Sequence, residues 1–122
     1  CIGENKSEKK NKKTLRVLKR QLTKVLEKNF KKHNIIVAYE PIWSIGTGKL
    51  PTANELKKTT IHIKKVLKNI FKKNSPAVLY GGSVDGSNVE MFKEIKEIDG
   101  FLIGGASKSS KKFIDIIKNY YR

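Results

Sequence analysis

Short apolar runs without polar alternation constrain this chain more than any other feature. Ile35-Ile36-Val37-Ala38-Tyr39, Ala77-Val78-Leu79-Tyr80 and Gly100-Phe101-Leu102-Ile103 are too short for helices and carry no wet face. Strands buried on both faces belong to parallel sheets, and parallel neighbours need long crossovers, usually helical. The intervening segments supply these. Residues 14–30 place Leu15, Leu18, Leu22, Val25, Leu26 and Phe30 at helical spacing. Thr52-Ala53-Asn54-Glu55 fits a capping box and opens a helix through Leu56, Ile63, Val66, Leu67 and Ile70. Ser87-Asn88-Val89-Glu90 fits a second box, predicting a helix with Val89, Phe92 and Ile95 on one face. A last helix over residues 110–120 carries Phe113, Ile114, Ile116 and Ile117. Cys1-Ile2-Gly3 reads as the tail of a further strand, and the lysine-rich residues 5–13 as a loop or frayed helix start. The order β-α-β-α-β-α-β-α predicts an α/β fold with right-handed crossovers, either a small open sheet or half of an eight-stranded barrel.

A length of 122 residues suits one domain, with no second domain expected. The start at Cys1, without an initiator methionine, reads as a fragment. No run of about 18 apolar residues predicts a membrane span, and no basic-then-apolar leader is visible. One cysteine makes no internal disulfide, and no Cys/His spacing resembles a zinc site, so no metal and a cytoplasmic setting are expected. The net charge of +16 suits nucleic acid or an anionic surface. It equally suits compositional drift in a Lys-, Asn- and Ile-rich chain. The lysines scatter over polar helix faces with no interleaved aromatic platform, which favours drift, with neither nucleic acid nor membrane as partner.

The residues that carry chemistry cluster at one end of the expected sheet. Glu40 follows the first complete strand at once. Pro41 stops the strand by removing an N–H, and Gly46 and Gly48 give the following loop a sharply turning tip. A carboxylate beside a mobile loop suggests proton abstraction in a closing site, with Trp43 and Ile45 covering it against water. Gly81-Gly82-Ser83 and Gly104-Gly105 follow the next two strands, where bare backbone N–H groups converge on a phosphate or simply form tight turns. His33 lies before a strand, at the opposite end, and His62 lies mid-helix, so neither is placed as a catalytic electrophile.

The stretch Ala38-Tyr39-Glu40-Pro41-Ile42-Trp43-Ser44-Ile45-Gly46-Thr47-Gly48-Lys49 closely resembles the signature and mobile lid of the triosephosphate isomerase family. Cys1-Ile2-Gly3-Glu4, Tyr80-Gly81-Gly82-Ser83-Val84 and Asp99 through Ser107 resemble the end of that family's fifth strand and its seventh and eighth βα loops. The resemblance covers the chain in order and implies the last four units of a (βα)8 TIM barrel. It implies Glu40 as the base that interconverts dihydroxyacetone phosphate and glyceraldehyde 3-phosphate through an enediolate, within glycolysis and gluconeogenesis. It implies backbone N–H groups of Gly46, Ser83, Gly104 and Gly105 as the phosphate grip. Pro41, Ile42 and Trp43 would form the first hinge, with Ser44, Ile45, Thr47, Gly48 and Lys49 completing the lid. Glu4 would accept the Trp43 indole N–H, and Tyr80 and Ser83 would bond the closed lid. No cofactor or metal is implied, and the intact enzyme would be a homodimer acting on a small phosphorylated triose. Nothing in these residues corresponds to the family's lysine, asparagine and electrophilic histidine, so the chain alone is expected to be inactive. Pro51, where the family often has a small residue, is expected to stiffen the second hinge. A different phosphate-binding (βα)8 enzyme, or a basic nucleic-acid module, leaves the Glu-Pro-x-Trp lid unexplained.

Overall fold

The computed structural model describes residues 1–26, 30, 34–72 and 74–122. Its elements run α1 (Lys6–Lys10), α2 (Thr14–Val25), β1 (Ile36–Tyr39), α3 (Ala53–Phe71), β2 (Ala77–Tyr80), β3 (Gly100–Phe101) and α4 (Ser110–Tyr121). Short 3-10 turns lie at Val89–Phe92 and Gly105–Lys108. The sheet is parallel, in the order β1-β2-β3. Ile2 extends it on the β1 side through a parallel bridge to Tyr39. Its N–H donates to Ala38 O at 2.9 Å, and its carbonyl accepts from Glu40 N at 2.7 Å. The expected strand tail is therefore a single bridging residue, held by Gln21 of α2, whose amide makes two bonds of 2.9–3.0 Å to the Gly3 backbone.

Helices α2 and α3 cover the sheet with most of the faces their spacing assigns, but Val25 at the end of α2 and Phe113, Ile114 and Ile117 of α4 are exposed. Leu18 and Leu22 of α2 and Leu56, Ile63 and Leu67 of α3 join Val37, Tyr39, Val78 and Tyr80 in one buried core. His62 packs between helices, its Nε2 lying 3.0 Å from Leu15 O. An aromatic row runs on from the strands: Tyr39, Tyr80, Phe92, Phe101 and Tyr120 have successive ring centroids 5.2–6.2 Å apart, the tilted spacing such rings favour.

Four local expectations need correction. Residues 5–13 contain a real helix, because Asn5 and Glu8 cap it reciprocally. The segment after β2 forms only a 3-10 turn. Ser87 does not cap it; Asp85 collects the Ser87 hydroxyl at 2.6 Å and the Ser87 and Asn88 amides, which tightens the backbone into a turn. The Ser87 hydroxyl first, then those amides, holds the Asp85 carboxyl below its usual range against the opposing effect of partial burial. Val89, Phe92 and Ile95 are nevertheless buried together. The strand expected over residues 100–103 is two residues long, with Leu102 N still bonded to Tyr80 O at 2.9 Å. Helix α2 ends at Val25; residues 27–29 and His33 lie outside the described residues. No described helix is long and apolar enough to cross a membrane.

Helix α3 starts where its box places it. Thr52 accepts from Glu55 N at 3.2 Å, and Glu55 returns a bond to Thr52 N at 2.8 Å. The Thr52 amide first, then the Thr52 hydroxyl and Lys9, lowers the Glu55 pKa from its ordinary value, with partial desolvation opposing. A carboxylate with a depressed folded-state pKa stabilises the fold above its unfolded pKa and loses that contribution as pH falls through the folded value. Thr52→Ala is expected to cost about 1 kcal/mol near neutral pH in urea unfolding. The gap from the unsubstituted chain should shrink as Glu55 protonates on acidification; a gap that widens would refute the assignment.

Candidate active site

The pairing of Tyr39 with Tyr80 brings the two strand ends level. Gly81 N donates to Tyr39 O at 2.8 Å, so Gly81 lies beside Glu40. A Cβ on Gly81 would sit 2.5 Å from Glu40 Cγ and 3.1 Å from Cδ, so only glycine leaves the carboxylate its place. From the other side, the 2.7 Å bond to Ile2 O fixes the Glu40 backbone. Glu40 is half-buried and opens onto a cleft of about 990 Å³. Gly46, Ser83, Gly104 and Gly105 line the same cleft, together with Ile45 and Gly48 of the loop. This end of the sheet, at the carboxyl ends of parallel strands, is where α/β folds hold ligands.

The loop after Glu40 is anchored at its start by Glu4, whose side chain is buried. Its carboxylate accepts the Trp43 indole N–H at 2.9 Å and lies 3.2 Å from the Tyr39 hydroxyl, while its main-chain carbonyl accepts Ile42 N at 3.0 Å. Burial first, then the adjacent Glu4 charge, pushes the Tyr39 phenol far above its usual pKa, so it remains a donor. Lys9 Nζ stacks 3.5 Å from the Trp43 ring centroid. Trp43 therefore does not cover the cleft. It faces a separate cavity of about 310 Å³, lined also by Glu4, Tyr39 and Pro51. Of the two residues expected to shield the site, Ile45 alone faces it, and it is exposed.

The tip turns on Gly46 and Gly48, whose φ angles of +66° and +72° favour glycine. The loop is tied to the segment after β2. Ser83 Oγ donates to Ser44 O at 2.6 Å and accepts from Gly48 N at 3.2 Å, and Tyr80 OH lies 3.2 Å from Ser44 Oγ. Gly104 O accepts both N and Oγ of Ser107, closing the Gly105–Lys108 turn, whose first amides have no partner within it. Several contributors gave no sequence signal. Asn88 Nδ2 holds Ser83 O at 3.1 Å, Asn119 Nδ2 of α4 holds Gly86 O at 2.7 Å, and Lys112 and Asp115 of α4 line the cleft's far side. Their spacing on a polar helix face looks like ordinary solvation. Among the described residues no cluster of His, Cys, Asp and Glu has the makings of a metal site.

The sequence profile of the triosephosphate isomerase family matches residues 1–120. Triosephosphate isomerase from Saccharomyces cerevisiae is 44% identical over 122 residues, which take in 98% of this chain and 49% of that protein. The Chlamydia abortus enzyme is 38% identical over 125 residues, again across 49% of its length. The crystal structure of triosephosphate isomerase from Bartonella henselae superimposes with a TM-score of 0.86 at 34% identity, taking in all of this chain and 49% of that one. The chain thus spans about half the length of the relatives it matches, and its parallel α/β unit corresponds to half of a TIM barrel. With a profile match over nearly its whole length, the chain belongs to the triosephosphate isomerase family.

Proposed function

We propose that this chain is the C-terminal half of a single-domain triosephosphate isomerase, with Glu40 as its base. The observation that carries this is the sharing of one cleft by the Glu40 carboxylate, the Gly46, Ser83, Gly104 and Gly105 backbone, and the glycine tip of the loop. Glu40 takes a proton from one carbon of dihydroxyacetone phosphate and returns it to the neighbouring carbon, giving glyceraldehyde 3-phosphate by way of an enediolate. The backbone amides grip the phosphate without a metal or cofactor, and the positive field of a +16 chain favours the dianion. Loop closure excludes water and holds the phosphate in the plane of the enediolate, which suppresses phosphate loss. We place the reaction in cytoplasmic glycolysis and gluconeogenesis, in a homodimer of the intact enzyme.

Stabilisation of the developing enediolate charge is usually the largest catalytic contribution. Among the described residues, His62 is bonded into the helix layer, far from that role. The electrophile is therefore assigned to the remaining half of the barrel. Exposed Ile114, Ile117 and Tyr121 on α4 give that half an apolar surface to pack on.

In the full-length protein, Glu40→Gln is expected to lower kcat by about 10²- to 10⁴-fold in a coupled isomerase assay, with much less change in KM. Retention of wild-type kcat would remove Glu40 from the role. The 122 residues alone are expected to show little or no turnover; activity near that of the intact enzyme would contradict assignment of the electrophile elsewhere.

A further inference from the structure

Ser44 is the third residue after the hinge proline begins the loop, and it has no exposed surface. A serine hydroxyl offers one proton and two lone pairs. The proton and one lone pair are firmly engaged. The proton goes to Lys49 O at 2.5 Å. Ser83 N lies 3.4 Å from Oγ, a long contact that leaves this amide available to the phosphate. Tyr80 OH lies 3.2 Å away and acts as donor, because the serine proton is already committed. Burial raises the Tyr80 pKa, which keeps that phenol protonated. The Ser44 carbonyl meanwhile accepts the Ser83 hydroxyl at 2.6 Å.

The bond to Lys49 reaches across the tip and ties the two ends of the turn together. This matters because of the second hinge. Pro51 is buried and has no N–H, so the chain there offers no amide to the loop's docking partners. The contacts of the returning segment pass instead through Lys49 O to Ser44, and through Gly48 N to Ser83 Oγ.

We propose that the Ser44 hydroxyl is the latch of the lid, a positioning residue that ties the two ends of the Ile45–Gly48 tip together and holds them on Tyr80. Opening the lid must break its bond to Tyr80, while the bond to Lys49 makes the tip move as one piece, so the hydroxyl sets the fraction of time the tip spends docked. The proposal deepens the isomerase assignment and rests on it for the identity of what the lid encloses. The docking itself is read from the hydrogen bonds alone.

The test compares Ser44→Ala, Tyr80→Phe and the double variant in the full-length protein, using two independent readouts. The first is amide hydrogen exchange at Gly48 without substrate, since that N–H is protected by Ser83 Oγ. Ser44→Ala is expected to speed this exchange roughly tenfold, the effect of about one net hydrogen bond. Tyr80→Phe should speed it on the wild-type background and add little on Ser44→Ala. The second readout is the fraction of triose phosphate lost as inorganic phosphate, in which the C–O bond to phosphate breaks and the phosphate leaves with the bonding pair. That fraction and KM should rise with Ser44→Ala, whereas a merely structural loss would lower the active fraction and leave both unchanged. Unchanged Gly48 exchange in Ser44→Ala, or strictly additive effects of the two substitutions, would overturn the latch whatever the enzyme assays show. If Ser44→Ala does not fold, Tyr80→Phe decides alone, and unchanged exchange there is equally fatal. Wild-type turnover by Glu40→Gln would defeat the isomerase assignment and leave the exchange result standing.

Discussion

The parallel register between β1 and β2 sets the geometry of everything at the cleft. Tyr39 faces Tyr80, so the residues that follow, Glu40 and Gly81, emerge side by side at the same end of the sheet. A shift of one residue toward the start of β2 would bring Tyr80's ring against the carboxylate. The strands are short and buried on both faces, so the register rests on the packing of Val37, Tyr39, Val78 and Tyr80 against α2 and α3. The aromatic row from Tyr39 to Tyr120 carries the same constraint across to β3 and α4.

Glu4 turns that constraint into a fixed start for the loop. A carboxylate with about 1% of its surface exposed is costly unless hydrogen-bonded. Its donors come from the end of β1 and the start of the loop, so satisfying the charge also orients Tyr39 and Trp43. The start of the loop is thereby held by neutral donors, with the Lys9 cation stacked on the indole. The tip, in contrast, is exposed and held by serine hydroxyls. A tightly held loop start and a tip on a few separable bonds are what the proposed gating requires.

Much of this was legible in the residues. Unalternated runs gave the parallel sheet, Thr52 and Glu55 gave the start of α3, and Glu40 with Gly46 and Gly48 marked the loop. What escaped depends on competition that a linear pattern does not display. The Asn5–Glu8 box was hidden among lysines, and the Ser87 box lost to Asp85, whose carboxylate takes the Ser87 amide that Glu90 would have accepted and occupies the Ser87 hydroxyl. The direction of Trp43 is decided by a carboxylate 39 positions away. The engagement of Ser44 depends on partners 36 and 39 positions distant, brought together only by the strand register. Residues of α4 that line the cleft look like any polar helix face.

The central claim is that Glu40 and the backbone amides of Gly46, Ser83, Gly104 and Gly105 serve one ligand. The most direct measurement is a crystal structure of the full-length protein with an unreactive triose-phosphate analogue. The account predicts the phosphate within roughly 3 Å of those amides and the Glu40 carboxylate within hydrogen-bond reach, about 2.6–3.2 Å, of the analogue's reacting-carbon substituents. A phosphate bound elsewhere, or seated with Glu40 turned out of reach, would contradict it.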